Sequence, residues 1–122
     1  MARISTCASP LSLVTAASTN ASLRITINSS GQAAIAGIAV LGVGTSLNGA
    51  ASGENVAVAL FHNGETHIGQ ATEAIAVGDT VYTAASGQYS KTSGGGAIVA
   101  GIAKTAAGAA NDQFEFVPVR VA

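Results

Sequence analysis

Short apolar runs separated by Gly, Asn and Ser recur along the chain, and helical spacing is hardly sustained anywhere. Leu23-Arg24-Ile25-Thr26-Ile27 alternates apolar and polar side chains, the period of a half-buried strand. Asn28-Ser29-Ser30-Gly31 then supplies a turn. Further strands are predicted at 34–41, 56–61, 66–71, 80–83, 89–92, 98–103 and 114–121. Between the first two of these lies a turn-rich stretch, Gly42 to Ser52, and Asn63-Gly64 reads as a hairpin tip. Pro118 falls inside the last strand, which suits an edge or a bulge. One short helix is predicted at 71–76. The spacing predicts an all-β fold, a small β-sandwich or barrel-like domain.

The chain divides into an arm and a body. Residues 1–32 are rich in Ser, Thr and Asn and read as an extended N-terminal arm with one strand, and residues 33–122 as the β-rich domain. The first twenty residues either order against a partner or fray. The stretch MARISTCASPLSLVTAAS resembles a signal peptide loosely, but Ser12 and Thr15 interrupt its apolar run. The expectation is a protein made in the cytoplasm without a membrane anchor.

A degenerate repeat runs through the body. Gly53-Glu54-Asn55, Gly78-Asp79-Thr80 and Asn111-Asp112-Gln113 each place a turn residue and an acid before apolar side chains two apart. Such an acid can accept backbone N–H bonds before a strand begins, so Gly53, Glu54, Gly78, Asp79, Asn111 and Asp112 read as structural turns. Ala36-Gly37-Ile38-Ala39 is echoed by Ala100-Gly101-Ile102-Ala103. The order of these echoes predicts related β-units packed face to face.

Composition changes the picture in one way. Of 122 residues 26 are Ala, 9% are charged and 4% are aromatic, while 48% are hydrophobic. Typical soluble domains carry about 25% charged residues, so much of this surface is expected to be covered by partners. A net charge of −1 with singly placed Lys and Arg leaves no footprint for nucleic acid.

Catalytic constellations are not assembled. His62 and His67 flank Asn63-Gly64, with Glu65 between them, and lack the further ligands of a zinc site; an exposed polar hairpin tip is the expected reading. Cys7 stands alone and reads as a small apolar side chain. Three of the six carboxylates belong to the repeated turn, and no Trp offers a sugar platform to the rest. Ser93-Gly94-Gly95-Gly96 lacks the Lys and Ser/Thr of a phosphate loop. Neither enzyme activity nor a cofactor or metal is expected.

Gly78-Asp79-Thr80-Val81-Tyr82, the strand Ile98 to Ala103 and the closing Phe114-Glu-Phe-Val-Pro-Val119 resemble the small bacteriophage capsid decoration, or cement, proteins over 33–121. The resemblance implies a β-sandwich or barrel-like module on the outside of the mature head, often a dimer or trimer. It would bridge major capsid proteins and stabilise the shell. It also implies an N-terminal arm that adds to the capsid contact. Leu11, Leu13, Val14, Leu23, Ile25 and Ile27 are the apolar anchors expected to carry that contact. The implied partners are the major capsid protein and the chain itself, with no nucleic acid and no membrane. A receptor-binding or adhesive module of a phage fibre is the alternative, resting on Tyr82, Tyr89 and the 86–96 loop.

Overall fold

The computed structural model describes residues 10–61 and 65–119. These form β1 (Leu11–Val14), β2 (Arg24–Ile27), β3 (Ala33–Ile35), β4 (Gly44–Ser46), β5 (Asn55–Leu60), β6 (His67–Gln70), β7 (Thr80–Thr83), β8 (Tyr89–Ser90), β9 (Val99–Ala103) and β10 (Gln113–Pro118). The fold is all-β, with two antiparallel five-stranded sheets ordered β1-β5-β4-β2-β3 and β6-β10-β9-β7-β8.

Counted from its own first strand, each sheet has the same order, so the chain is two copies of one unit. The details repeat as well. Thr15 bridges Ala33 in parallel just after β1, and Ala71 bridges Tyr89 in parallel just after β6, so each sheet curls until its edges meet. Thr15 N donates to Glu54 O and Ala71 N to Asp112 O, both at 2.9 Å. Thr19 exchanges backbone bonds with Ala50 as Ile75 does with Ala107. Registers then equate the strands residue by residue: Leu11 with His67, Ile25 with Val81, Val58 with Phe116. Each unit holds its own core. Ile25, Ala33, Val56 and Val58 fill the first, and the second is larger, built on Ile75, Val81, Tyr89, Phe114 and Phe116.

Small residues let these narrow units close. Gly44 and Gly101 are equivalent in register, and a Cβ on either would collide with a carbonyl oxygen of the neighbouring strand, that of Ala59 or Val117. This is the close backbone approach that a glycine in a strand permits.

Several expectations need correction. Residues 10–32 are not an arm: β1 pairs β5, and β2 lies between β4 and β3. The turn-rich 42–52 stretch contains β4, whose Gly-Thr-Ser sequence has no apolar side chain to announce it. Strand 34–41 shrinks to Ala33–Ile35. The helix expected at 71–76 is replaced by the Ala71 and Ile75 bridges. No hairpin joins β5 to β6: β5 already has β1 and β4 on its two sides, so β6 joins the other sheet. The Asn63-Gly64 tip itself lies outside the described residues. Pro118 ends β10 at a point where β9 still pairs with it but β6 has stopped, so its missing N–H breaks no ladder. The Ala36–Ala39 echo is a loop after β3, whereas 100–103 is strand; β4 is the true counterpart of β9.

Candidate functional site

The acid-led turns come first, because they set the strands that follow. Gly53, Gly78 and Asn111 hold φ of +83°, +88° and +70°. The next residue donates its N–H back to Ala51, Ala76 and Ala109 respectively. Positive φ at the third turn position is the type II requirement that Gly and Asn meet at least cost. Glu54 Oε1 and Asp79 Oδ2 also accept from the N–H of Ala51 and Ala76, at 3.0 and 2.9 Å. Ser22 occupies the Gly78 position in the first unit with φ +69°, but no acid follows it and the next N–H, that of Leu23, donates to Ser46 Oγ at 3.1 Å.

The two units meet through a polar seam centred on Arg24, which is completely buried. Its guanidinium meets no carboxylate. It donates instead to four carbonyls: Gly37 at 3.2 Å and Val40 in its own unit, Gln88 at 3.3 Å and Ala84 in the other. Five N–H donors in a fixed fork suit such a cradle. Burial pulls its pKa below the ordinary value, opposed by Tyr89, over whose ring it sits at 5.6 Å.

Beside it Thr45 Oγ1 lies 2.7 Å from Tyr89 Oη and 2.9 Å from His67 Nδ1. His67 Nε2 faces the Leu60 carbonyl at 3.2 Å, so Nε2 carries the proton and Nδ1 accepts from Thr45. Thr45 then accepts from Tyr89, and every group is satisfied with a neutral imidazole. Burial pushes the His67 pKa down, against smaller opposing effects of the Leu60 carbonyl and Glu65. Burial also raises that of Tyr89. His67 is therefore a buried histidine stacked on Phe61 at 4.9 Å, not the exposed tip residue expected. His62 and Cys7 lie outside the described residues. Among the described residues no three His, Cys, Asp or Glu side chains gather as metal ligands would.

The six expected anchors separate. Leu23 and Ile25 are buried, at 6% and 0% exposure, and belong to the interior. Leu11 and Leu13 are half-buried, while Val14 and Ile27 are exposed. Apolar side chains that the sequence reading passed over are exposed on the second sheet: Ile68, Ile102 and Val117. Their signal was present in strands whose two faces are both apolar, as at Phe116-Val117.

The chain is thus two repeated five-stranded units joined by a buried polar seam, with Ile68, Ile102 and Val117 exposed on the outer face of the second. The family model described as phage cement protein matches residues 14–121, and the chain belongs to that family. Among curated proteins, none matches.

Proposed function

We propose that this chain decorates the outer surface of a mature phage head, where it bridges major capsid proteins and stabilises the shell. Membership of the cement family carries the reading, and it makes the chain a capsid-associated structural protein of the virion. The surface supports the finer statement. Val14, Ile27, Leu47 and Val77 are among its large apolar side chains left open to solvent, in a chain with 9% charged residues. A lattice of identical neighbours both covers such a surface and multiplies weak contacts by avidity. Synthesis in the host cytoplasm precedes docking.

Of the six N-terminal anchors, Val14 and Ile27 remain exposed as contacts to a neighbouring molecule, with Leu11 and Leu13 half-buried beside them; Leu23 and Ile25 belong to the interior. The test is sedimentation of purified chain with undecorated, expanded heads of the source virus, counting copies bound. Saturation at a copy number set by the shell's symmetry positions is expected. A folded chain that stays in the supernatant overturns the proposal.

A further inference from the structure

The two units differ in what covers the outer face of their fourth strand. In the first unit the cross-strand row Arg24, Thr45, Ala59 is 0%, 1% and 3% exposed, because the second unit lies over it. The equivalent row in the second unit is Thr80, Ile102, Val117. Nothing covers that row among the described residues, and Ile102 and Val117 are each 47% exposed. Ile68 extends the same face on β6, opposite Glu115, which stands two residues before Val117. The carboxylate in this face is taken up by Thr66 and by Lys104 at 3.4 Å.

The covering surface has a counterpart too. Within the chain, His67 bonds Thr45, Gln70 N donates to Ser22 O at 3.0 Å, and Thr83 Oγ1 donates to Ile38 O at 2.6 Å. The same positions in the first unit hold Leu11, Val14 and Ile27. Val14 and Ile27 are 44% and 42% exposed. Side chains that hydrogen-bond across the intrachain junction are thus matched by apolar ones at the equivalent positions: Thr45 by Ile102, His67 by Leu11 and Thr83 by Ile27. The Gln70 bond is a backbone one that Val14 can also make.

We infer that the Ile68–Ile102–Val117 face of the second unit docks the first unit of a second copy of this chain, through Leu11, Val14 and Ile27. The stacking of unit on unit inside one chain then continues from chain to chain. The exchange of polar for apolar side chains fits such a junction. A contact formed between folded chains gains from apolar burial and desolvates no arginine. Head and tail are different surfaces, so the association is heterologous and involves three or more copies rather than a two-fold dimer.

Mixing complementary variants in the absence of capsids tests this, so its failure leaves capsid docking untouched. Sedimentation of the wild-type chain is expected to give a species of three or more copies. Val117→Lys with Ile102→Asp blocks the tail, Ile27→Asp with Val14→Asp blocks the head, and circular dichroism checks that each folds. Each alone should sediment as a monomer, and the two mixed should form a 1:1 pair through the one intact head and tail. Should a double variant fail to fold, Val117→Lys alone and Ile27→Asp alone serve. A wild-type monomer at every concentration overturns the inference, as does the absence of pairing between folded variants.

Discussion

Thr45 and Ile102 occupy the same position in the two repeated sheets, yet Thr45 is buried under Tyr89 and His67 while Ile102 faces outward. One unit's outer surface has become an internal seam, and the other's has stayed a surface. At this position a hydrogen-bonding side chain stands where the seam formed and a branched aliphatic one where it did not.

Arg24 holds the seam. Replacing it with Met leaves the carbonyls of Ala84, Gln88, Gly37 and Val40 with no guanidinium to accept from. Bonds to charged groups contribute about 1.5–3 kcal/mol each, and the four act together, so R24M is expected to cost about 3 kcal/mol or more. Arg24→Lys should recover less than half, because one ammonium cannot span both units' carbonyls. Urea unfolding midpoints check this; a cost below about 1 kcal/mol for R24M would sink the account.

Acid should loosen the same seam through His67. Its folded pKa lies below the unfolded value of about 6.5. Between those values the unfolded chain binds a proton that the folded chain refuses, so stability falls as pH drops from about 6.5 toward the folded pKa. Glu73 and Glu115 are held below the usual carboxylate range, by Ser90 and by Thr66 above all. Their contribution is present above about pH 4.3 and is lost on further acidification, a separate window. The melting temperature of wild type is expected to be lower at pH 5 than at pH 7.5. His67→Asn should flatten that slope, and an unchanged slope would contradict the assignment.

Thr19 offers a test of the repeat. Its Oγ1 is buried with no hydrogen-bond partner among the described residues, and Ile75 fills the same position in the second unit. Thr19→Val removes an unsatisfied hydroxyl and keeps the shape. It should stabilise the chain by about 1 kcal/mol, read from thermal unfolding.

Gly101→Ala should be costly, because its Cβ would strike the Val117 carbonyl oxygen and the Phe116 ring. A loss of about 1–3 kcal/mol is expected. Gly37→Ala meets nothing within 4 Å and should fall within about 0.5 kcal/mol of wild type. Equal effects at the two sites would refute the close-approach account.

These positions also show how far sequence reasoning reaches. Strand β7 coincides with its prediction at 80–83, and β5 and β6 come within a residue or two, because their alternation is set by a local core. Strand β4 was invisible: Gly44-Thr45-Ser46 carries no apolar side chain, and Thr45 is buried by Tyr89 and His67 of the other unit. Arg24 looked like the solvent side of a half-buried strand for the same reason. The duplication was visible in the Gly53 and Asn111 turns, but its other half was blurred, since Ser22 had replaced glycine and no acid followed. Leu23 and Ile25 were grouped with Val14 and Ile27 because all are apolar; only the curl of the first sheet divides core from surface.

If the chain reinforces a capsid as proposed, heating heads with and without it will show the difference. Expanded, DNA-filled heads would be warmed with an intercalating dye outside, and the temperature at which DNA becomes accessible recorded. Heads saturated with the chain are expected to admit dye at a higher temperature than bare heads, in proportion to occupancy. Identical temperatures at full occupancy would contradict the cement role.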